Sequence, residues 1–127
     1  MSNAGTAHMG MGAGAGKVNV QDLTCTKYVD SATPLLMLMC AQGKHIDSAT
    51  LTVRKAGGTP VEYIIVEMKK VLITAVSTGG SGGEDRLTEN VSLNFAEVSF
   101  TYTPQDAKGA AGTAVPFKWD IAGNKKL

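Results

Sequence analysis

Residues 71–100, VLITAVSTGGSGGEDRLTENVSLNFAEVSF, decide the fold class. Two apolar, β-branched stretches flank TGGSGGED at 78–85, a segment with too little side chain to pack, which therefore lies in an exposed loop. From Leu87 to Thr103 apolar and polar residues alternate with the period of a half-buried strand. Val91, Leu93 and Phe95 share one parity, opposite Asn90, Ser92 and Asn94, and Val98, Phe100 and Tyr102 share the next. A bulge or bend at Ala96-Glu97, absorbing one residue, keeps the core on one side.

Upstream, Val61 to Val76 is rich in valine, isoleucine and threonine and reads as a long strand, bent near Glu67 to Lys70. Ile46 to Ala56 alternates as a strand that stops at Gly57-Gly58. Val18 to Lys27 is a strand with a slip between Val20 and Leu23. Between these strands lies the one long helix, about residues 33–42. Thr33 is its expected cap, Pro34 takes its first turn and Gly43 ends it. The run LLMLMCA at 35–41 is apolar all round, which predicts burial on most sides. Ala114 to Ile121 gives a last short strand, with Pro116 suggesting an edge, and Asn124 to Leu127 a polar tail. The expected fold is mainly β: a β-barrel of two antiparallel sheets with one packed helix, in a single domain over 1–127 with a glycine-rich arm at 1–17.

Composition excludes several functions. With 127 residues, 43% hydrophobic and 18% charged, the chain builds one sizeable core. Its net charge of +1 comes from interleaved acids and bases, so it lacks the electrostatic footprint of a nucleic-acid or membrane-surface binder. No apolar run reaches the roughly 18 residues that predict membrane insertion, and no basic and apolar leader marks a Sec signal. Cys25 and Cys40 read as free buried thiols.

The chemistry-bearing patterns are each incomplete. GAGAGK at 12–17 fails as a phosphate loop, because Met11 stands where a glycine is needed and Val18 where a hydroxyl would bind magnesium. GGSGG at 79–83 lacks the lysine. His8, Met9 and Met11 lie in a glycine segment without preorganised geometry for a metal. His45 could serve Cys40 or Cys25 as a base, but burial raises a thiol's pKa, the wrong direction for a nucleophile. Glu84, Asp85 and Arg86 read better as a structural anchor or subunit contact than as a catalytic set. No catalytic, cofactor or metal residue is assigned, and the chain is expected not to be an enzyme.

GKVNVQDLTCTKYVD (16–30), ATPLLMLMCAQGKH (32–45), LTVRKAGG (51–58), residues 61–95 and KWDIAGN (118–124), taken in order, resemble the Hcp family, the haemolysin-coregulated proteins of bacterial type VI secretion. The resemblance implies a homohexameric ring that stacks into the secreted inner tube and carries small effector proteins in its lumen. The secretion spike and sheath would be further partners. It implies residence in the bacterial cytoplasm before firing, then release without a Sec signal. It places Gly10, Gly12, Gly14, Gly16 and Lys17 in an arm reaching a neighbouring subunit or ring, and Gly57 and Gly58 at a stacking face. Trp119 to Asn124 fall near the opposing face, where Ala122 and Asn124 are interface positions; Ala122 replaces a long basic residue of other members. Glu84, Asp85 and Arg86 complete the expected contacts. Relative to the family the chain lacks a first strand and most of a second. The expectation is therefore that it forms regular rings poorly, the alternative role being a β-barrel adaptor or chaperone without regular rings.

Overall fold

Strand β5 (Val61–Gly79) is long enough to serve two compact units. The computed structural model describes residues 1–3, 16–55, 61–83, 85–106 and 108–127. One unit comprises Met1–His45 and Leu72–Asn94, the other Ile46–Val71 and Phe95–Leu127.

In the first unit, β1 (Ser2–Asn3) pairs antiparallel with β2 (Val18–Asn19) as a small sheet. In the larger sheet, β3 (Leu23–Tyr28) pairs with β6 (Thr88–Asn94), and β6 pairs with the later half of β5. The strand expected from Val18 to Lys27 is thus two strands, and the break falls at the slip expected between Val20 and Leu23. At the break, the Asp22 carboxylate accepts hydrogen bonds from Thr74 Oγ1 at 2.7 Å and Asn94 Nδ2 at 2.9 Å. β5 answers with a register shift between Ile73 and Ala75, which leaves Thr74 as the extra residue. Val91 and Ile73 are buried on the inner face, while Thr24, Thr26, Asn90 and Asn94 are exposed on the outer one.

Helix α1 (Thr33–Gln42) has the expected extent, but its surroundings differ from expectation. Thr33, Leu36, Met39 and Cys40 turn inward, and of these only Thr33 is fully buried. Pro34, Leu35, Met37, Leu38, Ala41 and Gln42 are exposed over an arc of about 160° at 3.6 residues per turn. An apolar run shows that a helix avoids water without showing what covers it, so the run could not say which side lies open. The cap also moves: Ala32 is the N-cap, without a side-chain bond, and Thr33 uses its hydroxyl elsewhere. Gly43 closes the helix at φ 61°, where its N–H donates to Cys40 O. A Cβ there would meet nothing within 4 Å. The cost of Gly43→Ala is therefore that of the left-handed backbone alone, about 1 kcal/mol. Urea unfolding should show it as a lower midpoint at unchanged slope.

In the second unit, the earlier half of β5 pairs with β4 (His45–Lys55) and antiparallel with β7 (Glu97–Tyr102). β7 pairs with β8 (Val115–Asp120), which pairs with β9 (Lys125–Lys126). β9 is a short strand where a polar tail was expected. It takes only Trp119 and Asp120, so Pro116 has an open side where its missing N–H costs nothing. Residue Lys70 of β5 has φ 54°, and the buried set changes parity across it, from Val66 and Met68 to Val71 and Ile73. Here is the bend expected between Glu67 and Lys70. On the returning chain, Phe95 and Ala96 separate β6 from β7, and the Ala96 N–H donates to Lys69 O at 3.0 Å. The bend expected at Ala96-Glu97 is a break between strands that keeps Val91, Phe95 and Val98 all buried.

The fold is therefore mainly β, with two sheets and one helix, and strand pairing among the described residues does not close a barrel.

Candidate functional site

The outer face of β3, β6 and the later half of β5 is a ladder of small uncharged groups. Thr24 lies opposite Ser92, which lies opposite Ala75; Thr26 lies opposite Asn90, which lies opposite Ser77. Side chains bond across these rungs, Thr24 Oγ1 with Ser92 Oγ at 2.9 Å, and Thr26 Oγ1 donating to Asn90 Oδ1 at 2.7 Å. At one end stands Asp22, whose carboxyl is held below the ordinary aspartate value first by the Asn94 amide and then by the Thr74 hydroxyl. Strand alternation delivers this face: each residue on it is followed by one turned inward. Because the hydroxyls and amides already satisfy one another, the ladder offers a smooth polar wall with few groups seeking a partner.

On the inner face, β3 and β6 carry one charged pair. Lys27 lies opposite Glu89, whose side chain is fully buried, and its ammonium donates to Glu89 Oε1. Thr33 Oγ1 donates to the same oxygen at 2.6 Å, so the carboxylate ties the first turn of α1 to the sheet. Lys27 Nζ also reaches Asp30 Oδ1 at 2.9 Å, and that oxygen accepts the Ala32 N–H at 3.0 Å. Glu89 is held below its ordinary pKa by Lys27 first and Thr33 second, against burial, which pushes it up. Lys27 is raised correspondingly by Glu89 and then Asp30. Glu89 was missed at the level of sequence. Its parity with Val91 and Leu93 was the available signal, since that parity points inward.

Of the assembly residues expected from sequence, Gly10, Gly12, Gly14, Gly57, Gly58 and Glu84 lie outside the described residues. The carbonyl of Gly16 accepts the Asn3 amide at 2.6 Å, and Lys17 beside it is exposed. Arg86 stacks its guanidinium 3.9 Å from the Tyr28 ring centroid, and both line an open recess of about 340 Å³ with Asp85 and Thr88. Ala122 and Asn124 sit in the turn between β8 and β9, with Asn124 at φ 51°. The structure thus joins Asp85 with Arg86 and Ala122 with Asn124. His8, Met9 and Met11 lie outside the described residues, whereas Cys25 and Cys40 are free and half-buried rather than buried, and His45 is exposed. No group of three or more metal-ligating side chains occurs among the described residues.

The chain is similar to known proteins over most of its length. The family model described as the type VI secretion system effector Hcp matches residues 1–102. Protein hcp1 of Pseudomonas aeruginosa is 60% identical over 110 residues, covering 85% of this chain and 68% of that protein. A solved type six secretion system protein superposes with a TM-score of 0.88 at 30% identity, covering 98% of this chain and 79% of its own. Hcp1 from Salmonella typhimurium superposes at 0.75 with 31% identity, covering 100% and 81%.

Proposed function

We propose a tube-subunit role on the premise that this chain belongs to the Hcp family of type VI secretion proteins. Membership sets it in the context of the secretion apparatus and within a family of structural, secreted proteins. Within that context we propose that copies close into hexameric rings, that rings stack into the inner tube, and that the lumen carries small effector proteins. The spike and sheath of the apparatus are the further partners.

The observation that carries this reading is the uncharged ladder of Thr24, Thr26, Asn90 and Ser92. A tube lumen must hold diverse cargo and also release it. A wall whose polar groups bond to one another gives weak, sequence-tolerant contact, whereas unpaired charges would bind one partner too well. Gly10, Gly12, Gly14, Gly16, Lys17, Gly57, Gly58, Glu84, Asp85, Arg86, Ala122 and Asn124 are proposed as ring and stacking contacts on the family resemblance. Light scattering on the full chain tests the assembly. A closed ring predicts a mass six times that of the 13.2 kDa chain, or a multiple of it. A mass that stays at one chain would favour the monomeric β adaptor instead.

A further inference from the structure

Two of the apolar surfaces left open among the described residues differ in shape. The first is the outer arc of α1, where Leu35 is 61%, Leu38 52% and Met37 44% exposed. No charged residue occurs between Thr33 and Gln42, so this arc has nothing suited to water. A helix apolar all round is a buried helix, which makes an open one incomplete. The second surface lies on β7 and β8, where Phe100 faces Phe117 and Tyr102 faces Val115 across the ladder. All four are 40–60% exposed. They continue the face that carries Val66 and Val98 at its buried end, whereas the opposite face of the same strands carries Glu67, Lys69, Glu97 and Lys118. Charge marks that opposite face as the solvent side, and the aromatic face as the one meant to be covered.

We infer that the exposed arc of α1 on one copy seats on the Phe100, Tyr102, Val115 and Phe117 face of the next copy. This deepens the assembly proposed above and rests on it. With about 200 Å² for a whole large side chain, each surface amounts to about 300 Å². Joined, they bury about 600 Å², over a third of a standard interface near 1,600 Å² and the size of its apolar centre. Helix against helix would leave the aromatic face open on both copies, and sheet against sheet would leave the helix open. A helix laid on a sheet is an ordinary layer packing, and it alone covers both surfaces on every copy once a ring closes.

The test uses the full chain with Leu38→Glu on the helix and Phe117→Glu on the strand, followed by sedimentation velocity. Each variant alone should associate at least tenfold more weakly than the parent. Mixed in equal amounts, they should form a dimer and nothing larger, since only the intact strand face of one and the intact helix of the other can meet. Both positions are exposed, so folding should survive; far-ultraviolet circular dichroism checks it, with Leu38→Ser and Phe117→Ser in reserve. If the parent associates and the variants do so equally well, or if the mixture yields no dimer, the helix-on-sheet contact is overturned and the assembly reading stands. A parent chain that stays monomeric at every concentration overturns the assembly reading itself.

Discussion

Truncation of Met68 to alanine should destabilise the second unit by about 2–5 kcal/mol, a large share of the 5–15 kcal/mol typical of a whole domain. Met68 is 1% exposed, lies opposite Val98 on β7 and shares its face with Val66. Two positions later Lys70 turns through φ 54°, and the buried set passes to Val71 and Ile73. A strand that changes parity leaves an irregular gap at the change. An unbranched side chain with three rotatable bonds fits such a gap where valine or isoleucine would not. Alanine would leave it empty, and backbone held by pairing to β7 cannot collapse into the space. Leu127→Ala is the control: the residue is of similar size but 52% exposed and lies in the same unit, so less of its surface is lost from the interior. Trp119 lies in the same unit and reports its unfolding by fluorescence in urea. A loss below about 1 kcal/mol at Met68, with an unchanged denaturant slope, would mean that the site relaxes freely and that the parity change is not packed.

What the sequence made legible here follows from periodicity, and what it hid follows from its absence. The alternation of β6 was readable because Val91, Leu93 and Phe95 repeat every second residue, and it assigned Asn90 and Asn94 correctly to the outer face. The span of α1 was readable from Thr33, Pro34 and Gly43. Its orientation was not, since LLMLMCA is apolar at every angle and only the fold decides which third faces inward. Glu89 sits at an inward parity, but its charge argues for the surface; the ammonium of Lys27, which reverses that argument, lies 62 positions away in sequence on β3. The split between β2 and β3 likewise depends on Thr74 and Asn94, partners of Asp22 that no local pattern announces. For the candidate site, glycine density located the loop at 80–83 but could not say what it touches. The family resemblance supplied interface positions as expectations only, and the polar ladder across β3, β6 and β5 emerged only when the register was known.

Removal of the Glu89 carboxylate should cost more than removal of any other acid among the described residues and should change how stability responds to acid. Glu89 is buried, and its Oε1 receives both the Lys27 ammonium and the Thr33 hydroxyl, so Glu89→Ala leaves the Thr33 hydroxyl, which still accepts the Asp30 N–H, without its acceptor, and leaves Lys27 only Asp30 and the Tyr28 carbonyl. The contrast is Arg54 with Glu62, a pair joined at 2.6 Å whose side chains are 64% and 42% exposed. Water competes there, and Glu62→Ala should cost at most about 1 kcal/mol. The second oxygen of Glu89 has no hydrogen-bond partner and bears an unrelieved desolvation cost. That cost opposes the pair but does not overturn it, because the carboxyl still lies below its ordinary value, with Lys27 the leading cause. The sign follows. A carboxyl with a lowered folded pKa contributes stability in full above its unfolded value, near 4.5, and loses it as pH falls through the folded value. Urea midpoints measured from pH 7 down to pH 3 should therefore drop most steeply at the acid end, and Glu89→Gln should flatten that drop. Some slope should persist in the variant, since Asp22 and Asp30 are lowered as well and act in the same direction. At the alkaline end the sign is reversed for Lys27, whose raised pKa contributes stability that is complete below 10.5 and fades only above it. Identical acid slopes in the parent and in Glu89→Gln would show that the carboxylate does not anchor α1. The first turn of α1 would then be without the polar tie to β6 that Thr33 and Glu89 provide.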